Sequence, residues 1–139
     1  MIPLLCLTIS CSKEEIKSTI PYAPVNFKID LVADKIDYFD YALFEQPRLA
    51  GEYVGYAGLL IFRDHEGVLF AFDLCCPYEK KRDIKVQPNA LGEAKCPACQ
   101  TVYDIMHQGQ GFAKSGPGKL HLQRYSVLKS SEGIYRIRN

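Results

Sequence analysis

Cysteine is the residue type of this chain best equipped for chemistry. Four of its six cysteines crowd into residues 75–99. One loop reads Cys75-Cys76-Pro77-Tyr78. Seventeen residues later a second reads Cys96-Pro97-Ala98-Cys99. A short turn between two thiolates lets both sulfurs face one ion, and two such turns side by side make a sulfur cage. Such cages select zinc or iron–sulfur clusters. Three other uses of the thiols compete with a metal. Four cysteines can pair as disulfides in three ways. They can serve as small buried hydrophobes. Cys96 and Cys99 also match a redox dithiol, but that motif needs a helix N-terminus to activate it, and the next residues read as a strand. Clustering in two knuckles favours the metal or cluster.

The elements that must position these loops read as β structure. Val25 to Leu31 alternates apolar and polar residues, the mark of a half-buried strand. A weaker strand lies within Ile36 to Phe44, and Pro47 closes it. Tyr53 to Phe62 is a long apolar run, and Gly55 and Gly58 inside it imply a bulge or a close backbone approach. Asp64-His65-Glu66-Gly67 reads as a hairpin turn, and Val68 to Asp73 as the strand that delivers the chain into Cys75. The segment between the two loops is polar and rich in turn formers. Beyond it, Thr101 to Ile105, Leu122 to Val127 and Ile134 to Ile137 read as strands. Turns at His107 to Gly111, Ser115 to Gly118 and Ser130 to Gly133 separate them. No stretch holds a 3.6-residue period. The expectation is an all-β antiparallel sandwich or barrel with the Cys loops as a small subdomain at one end.

With 139 residues the chain is long enough for one domain with a core of its own. It carries 17 basic and 16 acidic residues, interspersed, so no basic stripe points to nucleic acid. No phosphate loop or nucleophile–base pair is visible, which argues against a hydrolase or transferase. Gly116-Pro117-Gly118-Lys119 lacks the strand-to-helix setting of a phosphate loop.

Residues 1–11 read as a signal peptide. They are uncharged and mostly apolar, and they end in Thr8-Ile9-Ser10-Cys11, which resembles a bacterial lipobox. Cys11 is then the acylated residue, residues 12–20 a tether and residues 21–139 the domain. That arrangement predicts a lipid-anchored protein of the bacterial envelope facing the periplasm.

From Tyr53 to Ile137 the sequence resembles the Rieske iron–sulfur domain. In that family a Cys-x-His loop and a Cys-x-x-His loop hold a [2Fe–2S] cluster, with two Cys on one iron and two His on the other. Ala71-Phe72-Asp73 leading into Cys76-Pro77-Tyr78 is similar to the family's strand and first loop. Cys96-Pro97-Ala98-Cys99 followed by Tyr103-Asp104-Ile105 is similar to its second loop and the run after it. Gly116-Pro117 resembles the proline loop that covers the cluster. Leu122, Tyr125 and Val127, and then Gly133-Ile134-Tyr135, resemble the closing strands. The resemblance implies electron transfer with a redox partner protein.

Both histidine positions depart from the pattern: Tyr78 stands at the first and Cys99 at the second. Gln100 replaces the glycine after the second, and Cys75 is an added thiol. Two readings are open. Either a cluster is held by Cys76, Cys96 and Cys99 with Cys75 or Tyr78 as the fourth ligand, or the cluster is gone and zinc or disulfides hold a binding or scaffold domain. Adjacent strand residues point to opposite faces, which argues against Cys75 beside Cys76 unless the chain loops there. Tyr78 as a ligand needs its phenol, ordinarily near pKa ~10, ionised by the metal. His65 reads as a solvated turn residue. His107 and His121 are near enough in sequence to be weaker ligand candidates. Glu79 to Asp83 reads as a solvated charged loop.

Overall fold

The computed structural model describes residues 19–107 and 109–139. Cys11 and the rest of the expected signal peptide, and the tether up to residue 18, lie outside the described residues. Every regular element among them is a strand, and every pairing is antiparallel. Seven strands form the main sheet: β1 (Val25–Asp30), β2 (Asp40–Phe44), β3 (Tyr53–Val54), β4 (Leu59–Arg63), β5 (Leu69–Asp73), β10 (Arg124–Ser131) and β11 (Ile134–Arg138). Their order is β2-β4-β5-β10-β11-β1-β3. Four short strands form a second sheet in the order β6-β7-β8-β9: β6 (Gln87–Pro88), β7 (Glu93–Lys95), β8 (Val102–Asp104) and β9 (Phe112–Ser115). The all-β expectation holds. No helix among the described residues is long and apolar enough to cross a membrane.

Period-two alternation builds the core. Val25, Phe27 and Ile29 of β1 point inward and are buried, while Lys28 between them is exposed. They meet Leu59 and Ile61 of β4, Leu69 and Ala71 of β5 and Ile137 of β11 in one cluster. The intervening β4 residues, Leu60 and Phe62, face the other way. They join Phe72, Leu74, Val86, Ala94, Tyr103, Ile105 and the Cys loops in a second cluster. So β4 is an unbroken apolar run because it is buried on both faces. The second cluster is what fastens the four-stranded sheet to the main one.

The structure adds detail to two of the sequence readings. Tyr53 to Phe62 is not one strand: β3 and β4 are separated by a turn at residues 55–58, where Gly55 and Gly58 take φ of +79° and +118°. The close approach predicted for Gly55 is real, since a Cβ there would sit 2.5 Å from Asp73 Oδ2. The segment between the Cys loops is not turn alone, because it carries β6 and β7. The shortness of those strands hides their period.

Candidate metal centre

Both Cys loops leave the second core at their first cysteine. β5 runs into Asp73, which is fully buried, and its carboxylate organises the start of the first loop. Oδ1 accepts hydrogen bonds from the N–H groups of Cys75 (2.8 Å) and Ala57 (3.1 Å). Oδ2 accepts from Tyr56 N–H (2.7 Å) and the Tyr125 hydroxyl (2.7 Å). Burial pushes the Asp73 carboxyl above the usual range, although these four donors pull it down. The chain then turns at Cys76. The second loop opens from β7, with Cys96 N–H bonded to the carbonyl of Thr101 at 2.9 Å.

The turns bring three thiols together. The Sγ atoms of Cys76, Cys96 and Cys99 all lie within 4.8 Å of one another, and Cys76 and Cys99 are 3.7 Å apart. Cys76 and Cys96 are buried and Cys99 is half-buried. All four cysteines of the two loops are free, so no disulfide joins them. Around the group, the Tyr103 hydroxyl lies 3.5 Å from Cys76 Sγ, and the Cys99 thiol is 3.2 Å from Thr101 Oγ1. Thr101 Oγ1 also accepts Gly118 N–H at 2.9 Å, so the Gly116-Pro117-Gly118 loop is pinned against the thiols' back. A Cβ on Gly116 would fall 2.6 Å from Thr101 Cα, so glycine is required there. Sequence reasoning assigns no role to Thr101, Tyr103 or the Asp73 carboxylate. Asp73 and Tyr103 are written in the runs that resemble the family's, and Thr101 only in its position beside the second loop.

Burial pushes the Cys96 thiol up to about 12, against the pull of the Ala98 and Cys99 N–H groups. Burial also raises Cys99, but hydrogen bonds from Thr101, Cys96 and Cys76 outweigh it and hold this thiol below its ordinary value. Burial raises Tyr103 far above a normal phenol, so it faces the sulfurs as a neutral hydroxyl donor. The two thiols of the second loop are thus shifted in opposite directions. Metal binding must displace protons from this group.

Cys75 is not part of the group. Its backbone bridges Lys85 in antiparallel fashion, so the strand alternation that argues against it holds. Its Sγ faces the carbonyls of Cys76 and Lys81, each at 3.6 Å, and burial with Asp73 nearby pushes the thiol up to about 12. Tyr78 is 54% exposed in its loop. Among the described residues no imidazole joins the thiols. His107 is exposed and bonds Asp104 through Nδ1 at 2.5 Å. His65 is exposed as expected for its turn, but it also stacks on Phe39 at 4.1 Å. His121 is exposed and tilted toward Phe112.

No protein-family model matches the chain, and no curated protein matches it. Solved structures do. A chain from the complex of reduced oxygenase and oxidized ferredoxin in carbazole 1,9a-dioxygenase is 12% identical with a TM-score of 0.52, covering 82% of this chain and 93% of that one. The ferredoxin of Sphingomonas yanoikuyae B1 is 19% identical with a TM-score of 0.51, covering 82% and 98%. A putative NADH-dependent nitrite reductase small subunit from Mycobacterium tuberculosis is 11% identical with a TM-score of 0.50, covering 84% and 96%. The fold is Rieske-like. At these identities the likeness speaks for architecture, and the chemistry rests on the residues of this chain.

Those residues do not fit the Rieske cluster. A two-iron cluster of that type takes two ligands on each iron, two of them imidazoles. Here three thiols gather round one point without a histidine. One of their separations matches that of a single tetrahedral ion. Zinc–sulfur bonds of about 2.3 Å place neighbouring sulfurs about 3.8 Å apart, and Cys76 and Cys99 are separated by 3.7 Å.

Proposed function

We propose that this chain is a metal-binding domain of Rieske-like fold, in which the thiolates of Cys76, Cys96 and Cys99 hold one metal centre, zinc foremost. The carrying observation is the convergence of three sulfurs within 4.8 Å where the two loops meet. The metal would lock both loops onto the second core and fix the four-stranded sheet to the main one. On this reading the site is structural and the surface it stabilises is the functional part. A second reading is an electron carrier, served by an iron–sulfur centre at the same loops and a redox partner protein. The likeness in fold to a ferredoxin favours it. We further propose that Cys11 carries a lipid anchor tethering the domain to a bacterial membrane, supported by Thr8-Ile9-Ser10-Cys11. More than one acyl chain is needed for a firm hold.

Metal analysis of freshly purified, membrane-extracted protein tests all three. About one zinc per chain in colourless protein is the expected result. Brown protein containing iron and acid-labile sulfide selects the electron carrier instead. Protein without either metal overturns both. Wild-type protein found wholly in the soluble fraction, behaving like Cys11→Ala, removes the lipid anchor.

A further inference from the structure

Three thiols leave a tetrahedral ion one ligand short; of the two candidates suggested by the sequence, Cys75 faces the carbonyls of Cys76 and Lys81 and Tyr78 is exposed. The loops themselves indicate the missing group. Each starts Cys-Pro. In the first, Lys80 N–H bonds the Cys76 carbonyl at 2.8 Å, and Lys80 has φ of +54°. In the second, Gln100 N–H bonds the Cys96 carbonyl at 3.0 Å, and Gln100 has φ of +66°. These are two copies of one five-residue turn. Cys76 therefore corresponds to Cys96, Pro77 to Pro97, Tyr78 to Ala98, Glu79 to Cys99 and Lys80 to Gln100.

Burial follows the same correspondence at four of the five positions; the exception is the proline, buried as Pro77 and exposed as Pro97. Cys76 and Cys96 are buried, Tyr78 and Ala98 are exposed, and Glu79 and Cys99 are both half-buried. Tyr78 thus occupies the outward position, where the second loop has a methyl group. The position from which the second loop delivers its second sulfur holds a carboxylate in the first. Resting on the metal-binding reading above, we infer that the Glu79 carboxylate is the fourth ligand and that the centre is Cys76–Cys96–Cys99–Glu79.

Glu79 makes no ion pair or hydrogen bond among the described residues, so nothing holds its side chain away. Its carboxylate stands outside the 4.8 Å group of sulfurs and must rotate inward to bind. A carboxylate oxygen binds zinc at about 2.0–2.2 Å, shorter than sulfur, and glutamate has the length and torsions to make the adjustment. Three sulfurs and one hard oxygen favour zinc over a cluster built on soft donors. Glu79 belongs to a charged run that reads as solvated in the sequence. Only the matching of the two turns separates it from its neighbours.

The test uses the full chain loaded with zinc or cobalt(II). X-ray absorption at the zinc edge should count three sulfurs and one light atom in wild type. Glu79→Cys should convert this to four sulfurs and intensify the cobalt thiolate absorption. Glu79→Ala should weaken zinc binding by about 100-fold, the upper end of what even a supporting group around a metal is worth. Tyr78→Phe and Cys75→Ser should leave affinity and spectra unchanged. The inference falls if wild type binds zinc but Glu79→Ala matches it in affinity and cobalt spectrum, or if Glu79→Cys still shows three sulfurs. If wild type binds neither zinc nor cobalt, the metal-binding reading falls and this inference with it.

Discussion

Cys76 to Lys80 and Cys96 to Gln100 take one backbone course, yet their supports differ. Three residues before Cys76 stands Asp73, fully buried and hydrogen-bonded to three N–H groups and a tyrosine hydroxyl. Three residues before Cys96 stands Glu93, half-buried on β7 and paired with Lys114 at 2.6 Å. The return paths differ too. Cys96 N–H reaches the carbonyl of Thr101, five residues on, whereas Cys76 N–H reaches that of Ile84, eight residues on. The first turn is therefore set by a buried carboxylate reaching across the main sheet. The second is set by its own compact hairpin, β7 to β8. A shared turn can be built from local pairing or from a distant polar anchor, and the choice determines which substitutions damage it.

The largest effect should come from the sulfurs themselves. The second loop supplies two of the three, so Cys96→Ser should lower zinc affinity by more than about 1000-fold. Structural zinc in small peptides is worth about 10–16 kcal/mol, and most of that lies in its thiolates. The loss should spread unevenly. Hydrogen exchange should accelerate in β6 to β9, which rely on the second cluster, and leave β1 and β11 protected, since Phe27, Ile29 and Ile137 pack in the first. Uniform acceleration across both sheets would show that the two cores do not open separately.

Next in size is the anchor that only one loop has. Asp73→Ala strips the acceptor from four donors in a buried place, each worth about 1–3 kcal/mol when stranded, so a total loss of about 3–5 kcal/mol is expected after relaxation. Glu93→Ala, at the matching and only half-buried position, should cost far less in denaturant unfolding, since it loses a single ion pair. The pH dependence sharpens the contrast. Burial raises the folded pKa of Asp73, so the folded chain binds its proton more tightly than the unfolded chain, where Asp titrates near ~3.9. Stability contributed here is present below the unfolded pKa and falls as pH rises through the folded value. Asp73→Asn should flatten that slope in melting temperature against pH. A slope of opposite sign in wild type would show that the hydrogen bonds outweigh burial.

Much of this was legible in the sequence, and the parts that were not have physical causes. Alternation exposes β1, because one face is core and the other water. The same rule is silent for β4, buried on both sides, and the glycines that end its run had to be read as a break rather than a bulge. The pairs and triplets of β6, β7 and β8 are too short to show any period. Three of the proposed ligands, Cys76, Cys96 and Cys99, can be picked out by spacing, and strand alternation explains why Cys75, bridged to Lys85, does not join the three gathered thiols. What spacing conceals is equivalence between loops. Glu79 matches Cys99 only when the hydrogen bonds closing the two turns are seen, since the residue types share nothing but the leading Cys-Pro.

The finest distinction between the loops lies in their last residues. Lys80 and Gln100 both take the left-handed conformation, which costs a residue with a Cβ about 1–2 kcal/mol. Glycine escapes that strain but loses about 0.5–1 kcal/mol in unfolded-chain entropy. Both side chains are exposed, so replacing either with glycine removes little packing. One difference remains. Gln100 Nε2 donates to the Pro97 carbonyl at 2.8 Å across its own turn, while the Lys80 side chain makes no such bond among the described residues. Lys80→Gly should therefore stabilise the chain by about 1 kcal/mol, and Gln100→Gly by about half as much, because an exposed hydrogen bond is given up with the strain. Both variants should keep their metal, since the closing N–H is retained. Denaturant melts of the zinc-loaded variants would check the order. Gln100→Gly gaining as much as Lys80→Gly would mean that the side-chain bond to Pro97 contributes nothing. A loss in either variant would mean that the left-handed residue is held by contacts beyond its own turn.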